Sequence, residues 1–170
     1  MITNLVRRAV PMGATVFIKA GESGILHAGA MTVCSSAVFS VYDKQGKRLA
    51  TGMSHRGPVR SAEYVANLKM AVAKLGVVEG ATWKFHAVHT APDTNTDSVS
   101  DCDFPGHTDD ALRGDLNQAL GIELDANSES APGPHLALFT NTCVATVPAD
   151  GEPTVEQRKG MFESIECVIM

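Results

Sequence analysis

A β-hairpin is the clearest structural signal in this sequence. Residues 38–42 and 49–55 are both rich in β-forming side chains, and the polar run DKQGKR between them, residues 43–48, contains the glycine that a tight turn favours. A hairpin brings the start of its first strand close to the end of its second. The pattern therefore predicts that Cys34 and His55 are neighbours in space although they are distant in sequence.

Apolar periodicity and glycine positions predict the other elements. Apolar side chains recur at helical spacing after Ser61, and Gly76 stands where a helix commonly ends, which predicts a helix over residues 61–75. A second helix is predicted between Thr108 and Gly121, with acidic residues in its first turn, where the helix dipole favours them. Further strands are predicted at residues 14–19, 24–31, 82–89, 135–140, 143–147 and 164–170, with polar loops at 90–107 and 126–134 and a turn near Asn141.

The order of strands and helices predicts an α+β fold for a single domain over residues 1–170. Mixed, largely antiparallel β-sheets would form a sandwich-like core, flanked by two main helices. A chain of 170 residues with 44% hydrophobic residues is long enough to bury such a core.

Charge and hydropathy narrow the functional classes. The net charge is −5 and the basic residues are scattered, which argues against nucleic-acid binding. No segment has the length and apolar character of a signal peptide or a membrane span. The sequence therefore predicts a protein without a membrane association, either cytosolic or exported without a cleaved signal.

The four cysteines are predicted to be reduced thiols. Their spacing gives neither a CxxC pair nor a zinc-knuckle pattern, and their number does not indicate a dense disulfide scaffold. Cys143 and Cys167 lie in strand-like runs, and Cys102 lies in a polar loop. Since no histidine stands in a hairpin relation to Cys102 or Cys143, and Cys167 is predicted to face the core, Cys34 is the candidate nucleophile.

Cys34 and His55 have the residue types needed to attack an amide. A thiol reacts as the thiolate, so a neighbouring imidazole must accept its proton and pass it to the leaving nitrogen. Backbone N–H groups beside the cysteine would stabilise the oxyanion. The alternative is that Cys34 is a small side chain of the core, the usual place of a reduced cysteine. Spacing alone leaves both interpretations open.

Metal sites are less well supported. His86 and His89 are three positions apart on a predicted strand, so their side chains point to opposite faces and do not converge on a metal ion. The run that begins at Asp93 resembles a calcium loop, but Ser98 stands where the loop needs glycine and Phe104 where it needs a bidentate glutamate.

A serine nucleophile is also less well supported. Ser35 and Ser36 follow Cys34, but no GxSxG elbow is present. These serines are predicted to be turn residues or to supply backbone N–H groups to an oxyanion hole.

The hairpin segment resembles the signature of the chemoreceptor glutamine deamidases, the CheD family. That signature runs from a small-residue turn and a cysteine through an apolar strand ending in Tyr-Asp, and then to Gly-Met-x-His and a proline. The later order of a Tyr-led helix ending in Lys-Leu-Gly, a strand, a helix ending in Leu-Gly-Ile and a late hairpin is also similar, so the resemblance covers most of the chain. The matching residues in the signature are Cys34, Val38, Val41, Tyr42, Asp43, Gly52, Met53, His55 and Pro58.

This resemblance implies a protein glutamine deamidase that uses Cys34 as nucleophile and His55 as general base, with no metal or cofactor. Its partner would be a protein substrate, whose glutamine side chain is hydrolysed to glutamate with release of ammonia. The resemblance also implies the fold shared by the CheD family, cytotoxic necrotizing factor and Burkholderia lethal factor. The protein would then act in the bacterial cytoplasm or be exported into a host or target cell.

The sequence departs from the family pattern around the cysteine. Ala28 stands about where the family has a threonine that helps to orient the histidine. Either a backbone carbonyl near Ala28 or a different side chain is therefore expected to orient His55. Thr32, Val33 and Ser35 are the other orienting or oxyanion candidates. These departures favour an effector-type deamidase over a chemotaxis enzyme, with an inactive binding module of the same fold as a further alternative.

Overall fold

The computed structural model describes residues 5–31, 34–57, 61–76, 79–90, 109–121, 130–132 and 140–160. Over these residues the chain forms an α+β structure with two helices and two mostly antiparallel sheets, as the sequence predicts. The described elements are β1 (Val6–Ala9), β2 (Thr15–Lys19), β3 (Gly24–Met31), β4 (Ser35–Tyr42), β5 (Arg48–Arg56), α1 (Ser61–Leu75), β6 (Thr82–Thr90), α2 (Asp109–Leu120), β7 (Ser130–Pro132), β8 (Thr140–Val147) and β9 (Thr154–Gly160).

Two sheets and a helical layer are stacked around strand β4. The four-stranded sheet has the order β1-β3-β8-β9, and the five-stranded sheet has the order β2-β5-β4-β6-β7. Val38 of β4 belongs to a buried cluster that includes Leu26 of β3 and Val147 of β8, whereas its neighbour Phe39 packs with Leu68 of α1. Because successive side chains of a strand point to opposite faces, one face of β4 meets the other sheet and the opposite face meets the helices.

The predicted hairpin is confirmed as strands β4 and β5. Asp43 closes its turn, since the Asp43 carboxylate accepts hydrogen bonds from the backbone N–H groups of Gln45 and Lys47, at 2.9 and 2.8 Å. Gly46 has a φ of 77° in this turn, a conformation that side chains with a Cβ rarely adopt. The antiparallel ladder then runs from Tyr42 back to Ser35.

Gly52 of the signature lies between two aromatic rings. It pairs with Phe17 on β2 and with Phe39 on β4, and the two rings meet edge to face above it with their centroids 5.7 Å apart. A Cβ at this position would lie 2.4 Å from the Phe17 ring. Glycine is therefore needed here for packing, in the strand that also bears His55.

The end of the chain is where the sequence prediction and the structure differ. The turn predicted near Asn141 is wrong, because β8 continues through this residue and pairs with β3 and β9. The chain reverses further on, where Gly151 has a φ of 92°. Strand β7 lies within residues 126–134, which the sequence predicts to be a loop. The strand predicted at 135–140, apart from its last residue, the strand at 164–170 and the loop at 91–107 lie outside the described residues.

The two predicted helices are confirmed, at residues 61–75 and 109–120. Both contribute side chains to the cluster on the helical side of β4. Neither described helix is long and apolar enough to cross a membrane.

Candidate active site

Cys34 and His55 lie on the face of the hairpin that meets the other sheet. His55 pairs with Ser36 across the ladder, and Met53 pairs with Val38. Cys34, Val38 and Met53 belong to the same inter-sheet cluster. Since paired residues of an antiparallel ladder share a face and so do residues two apart on one strand, the cysteine and the histidine are diagonal neighbours on this face.

A turn formed by residues 10–14 contacts both of them. The backbone of His55 bonds to this turn twice, through its N–H to Ala14 O at 3.0 Å and through its carbonyl to Gly13 N at 2.6 Å. Met12, between these contacts, places its sulfur 3.6 Å from Cys34 Sγ. One short segment thus contacts both Cys34, just before β4, and the end of β5.

The carbonyl of Val10 fixes the tautomer of His55. Its oxygen lies 3.0 Å from His55 Nδ1, and a carbonyl oxygen can only accept. Nδ1 must therefore carry a hydrogen, and in the neutral ring Nε2 is left as the nitrogen that can accept a proton. This is the arrangement that a general base requires, with a backbone group in the orienting role.

Burial keeps the His55 ring neutral. The residue is fully buried, and the resulting desolvation lowers the pKa of His55 below its ordinary value of 6.5, against the smaller raising effect of the Val10 hydrogen bond. A neutral imidazole at neutral pH is able to accept a thiol proton.

Cys34 is 8% exposed and is a reduced thiol. Its S–H donates to the thioether of Met12, which is itself 53% exposed. Met12 therefore lies between the thiol and the solvent.

Two of the other predicted site residues, Ala28 and Ser35, are described by the structure. The carbonyl that contacts His55 Nδ1 belongs to Val10 and not to Ala28, which is buried in the same cluster as Cys34. Ser35 is buried, but alternation along β4 puts its side chain on the helical face, so only its backbone can face the site. Thr32 and Val33 lie outside the described residues.

A β-bulge and a buried ion pair surround the site. The ladder of β3 with β8 gains a residue between Ala28 and Met31, just before Cys34 in the chain, and bulges of this kind are common beside active sites. On the helical face, Arg56 Nε lies 2.6 Å from Asp115 Oδ2 of α2. Tyr64 donates to Ser54 Oγ at 2.7 Å. These contacts attach the end of β5 to both helices.

His86 and Cys143 are each hydrogen-bonded to a serine of β4. His86 Nε2 lies 2.8 Å from Ser40 Oγ, on the strand region away from the cysteine. Burial raises the pKa of the Cys143 thiol to about 12, partly offset by a hydrogen bond with Ser36, so this thiol stays protonated.

The part of the chain that the structure describes contains no group of three or more His, Cys, Asp or Glu side chains that could hold a metal ion. Cys102 and Cys167 are not among the described residues.

Sequence reasoning missed Val10 and Met12. The run Pro11-Met12-Gly13 indicates a turn, but no local pattern indicates that this turn packs against residue 55. A backbone carbonyl that accepts a hydrogen bond also cannot be recognised from the residue type, because every residue has one.

No protein-family model matches the chain, and no curated protein sequence matches it either. The features that bear on function are the geometry of Cys34, His55 and Val10 and the signature residues on the hairpin.

Proposed function

We propose that this protein is a cysteine-dependent protein glutamine deamidase of the bacterial effector type, with Cys34 as nucleophile and His55 as general base. The observation that supports this most directly is the hydrogen bond from His55 Nδ1 to Val10 O. It leaves Nε2 as the proton acceptor of a buried, neutral ring on the same face as Cys34. Together, this tautomer and the thiol supply the two groups that thiol-based amide hydrolysis needs.

The reaction follows from these groups. As Cys34 Sγ attacks the side-chain carbonyl carbon of a glutamine, the thiol proton passes to His55 Nε2. The tetrahedral intermediate then expels the amide nitrogen, which takes that proton and leaves as ammonia. Water attacks the resulting thioester and gives a proton to Nε2, and this proton returns to Sγ as glutamate is released. One water is consumed and one ammonia is formed, with no change of oxidation state.

The fold and the signature support the same class. An α+β arrangement of two sheets and two helices agrees with a CheD-like domain over residues 1–170, and the signature residues Gly52 and Met53 lie in the strand that bears His55. The substrate is a protein, and the site of action is the bacterial cytoplasm or a cell into which the protein is exported. The departures around Ala28 favour an effector over a chemoreceptor deamidase.

The test is mass spectrometry of bacterial and eukaryotic lysates incubated with wild-type protein or with Cys34→Ser. We expect glutamine-to-glutamate conversion at a defined site with the wild type and none with Cys34→Ser. His55→Gln should slow this conversion by about 10²–10⁴-fold, the usual contribution of a general base. Cys143→Ala is the matched control and should keep full activity, because its thiol is buried and stays protonated.

Conversion that persists in Cys34→Ser would contradict the proposal. Loss of conversion in Cys143→Ala, with the fold intact, would do the same for the choice of nucleophile. If no protein in either lysate is converted, the inactive binding module becomes the better description. Amine incorporation at the target glutamine in place of hydrolysis would instead identify a transglutaminase that uses the same thioester.

A further inference from the structure

Met12 covers the candidate nucleophile in an unusual way. Its sulfur lies 3.6 Å from Cys34 Sγ, yet 53% of the residue remains exposed to solvent. The thiol donates its hydrogen to this sulfur. Met12 is therefore a surface side chain whose δ atom occupies the position directly in front of the thiol.

The backbone holds Met12 in this place. Residues 11–14 form a turn closed by a hydrogen bond from Ala14 N to Pro11 O at 3.0 Å, and Gly13 has the positive φ of 85° that the third position of such a turn requires. Gly13 is anchored to β5 through its N–H to His55 O, and to α1 through its carbonyl, which accepts from Asn67 Nδ2 at 3.1 Å. The turn thus presents Met12 at its tip from a fixed base.

The space that Met12 fills exists because residue 57 is glycine. A Cβ on Gly57 would lie 2.9 Å from Met12 Sδ and 3.0 Å from its Cγ, too close for normal packing. Gly57 follows the last paired residues of the hairpin, Ser35 and Arg56, at the end where Cys34 lies. A slot for one unbranched side chain therefore lies between Cys34 and Gly57.

Methionine and glutamine are equivalent in length up to the δ atom. Both side chains are unbranched, and the δ atom is the sulfur in methionine and the reactive carbonyl carbon in glutamine. A glutamine seated as Met12 is would place that carbon near the position 3.6 Å from Cys34 Sγ, close to the roughly 3–3.5 Å of a reactive geometry. The carbonyl carbon of asparagine is one bond closer to its backbone and would stop short of the thiol.

We propose that Met12 occupies the subsite for the substrate's glutamine side chain. This inference rests on the proposed deamidase function and deepens it in two respects. The resting protein is closed by an internal mimic of its own substrate, and the subsite selects glutamine over asparagine. Substrate binding requires Met12 to turn away, after which the thiol proton is directed to His55.

The first test measures access to the thiol. We expect iodoacetamide to alkylate Cys34 several-fold faster in Met12→Ala, and also in Gly57→Ala, where the added methyl group expels Met12 without changing it. Met70→Ala is the matched control, since Met70 is similarly exposed but lies on α1. Its alkylation rate should equal that of the wild type. Unchanged rates in both folded test variants would overturn the proposal.

The second test uses the chain as its own substrate. In Met12→Gln we expect conversion of the amide at position 12 to the acid, detected by peptide mass spectrometry, and none in the double variant that also contains Cys34→Ser. Met12→Asn should remain an amide. Gln45 and Gln118, both exposed, are internal controls and should stay unchanged.

The two tests separate failure of the subsite from failure of the function. If the wild type converts a lysate protein while the amide at position 12 persists in folded Met12→Gln, the subsite assignment is wrong and the deamidase function stands. If Met12→Asn is converted as readily as Met12→Gln, the selection for glutamine is wrong. If neither a lysate protein nor position 12 is converted, the proposed function fails and the subsite with it.

Discussion

The surroundings of His55 determine how its ring is protonated. Its Nδ1 is bonded to the Val10 carbonyl, its backbone is bonded to Gly13 and Ala14, and its ring has no solvent exposure. The hydrogen bond sets the tautomer and burial sets the charge, so the ring has both properties that the proposed general base needs. A solvent-exposed histidine on the same strand would have neither.

Protonation of His55 should couple the stability of the folded protein to pH. Burial lowers its pKa in the folded state, so between pH 6.5 and that lowered value the unfolded chain binds more protons than the folded one. The stability from the neutral ring is therefore fully present above pH 6.5 and is lost as the pH falls through the folded-state pKa. We expect NMR titration to give a His55 pKa below 6.5 in the folded protein, and His55→Gln to weaken the pH dependence of the free energy of unfolding. A His55 pKa at or above 6.5 would contradict the burial argument.

The sequence predicts that Cys34 and His55 are neighbours, but it does not predict which groups contact them. Cys34 and His55 come together because a hairpin is a local structure with a readable turn. Val10 and Met12 reach the site from a segment more distant in the chain, and the contact depends on how the two sheets pack. The carbonyl expected near Ala28 is that of Val10, which lies beside this part of β3. Val10 N donates to the carbonyl of His27, the residue before Ala28.

Among the described strands, those that the sequence misses lie at sheet edges. β1 and β9 are the outer strands of the four-stranded sheet, and β7 is an outer strand of the five-stranded sheet. The sequence of β1 is VRRA with every residue exposed, and β9 reads TVEQRKG, so neither has a clear apolar alternation. Such segments become strands because their backbone groups hydrogen-bond to the edge of an adjacent strand. The edge strand β2 was predictable because TVFIK does have β-forming, apolar residues.

The pairing of Arg56 with Asp115 connects α2 to the strand that bears His55. The charged groups are 3% and 12% exposed, and Arg56 also donates to Gly57 O at 3.2 Å. Arg56 is adjacent in sequence to His55, on the opposite face of the strand. The ion pair therefore fixes the end of β5 from the helical side, while the turn of residues 10–14 fixes it from the other side.

Removal of one charge of this pair should be costly. We expect Asp115→Ala to lower the free energy of unfolding by about 3–5 kcal/mol, because it leaves the buried Arg56 charge without its carboxylate. Urea denaturation monitored by circular dichroism measures this change. The double variant Arg56→Met with Asp115→Leu should recover most of the loss, since it removes both charges and fills similar volume.

The exposed pair of Arg8 and Glu22, with 3.8 Å between its charged atoms, provides the control for this prediction. Glu22→Ala should change the free energy of unfolding by less than about 1 kcal/mol. If Asp115→Ala costs no more than Glu22→Ala, the ion pair does not anchor α2 to β5.

At the scale of the whole molecule, the two sheets are joined by different chemistry at the two ends of the hairpin. At the open end, the turn of residues 10–14 bonds to His55 and covers Cys34. At the end near the hairpin turn, Arg48 of β5 donates to Pro148 O and Ala149 O, at 2.6 and 3.2 Å, just after β8 of the other sheet. The same guanidinium donates to Thr51 Oγ1 at 2.9 Å, so its donors are matched by acceptors from both sheets. Hydrogen bonds of Arg48 thus join the sheets at one end, and the candidate catalytic residues lie at the other.

This division predicts that stability and reactivity can be changed separately. Arg48→Met keeps the length of the side chain but leaves buried acceptors without their donor, so we expect it to lower the free energy of unfolding by about 1–3 kcal/mol. Because Arg48 is at the opposite end of the strands from Cys34, the alkylation rate of Cys34 and the pKa of His55 should stay at their wild-type values in the folded variant.

Lys47→Met, at the exposed neighbouring position, is the control and should change stability by less than about 0.5 kcal/mol. An Arg48→Met protein with wild-type stability would mean that the guanidinium does not hold the sheets together. A changed alkylation rate would mean that the two ends are coupled through the length of β4 and β5.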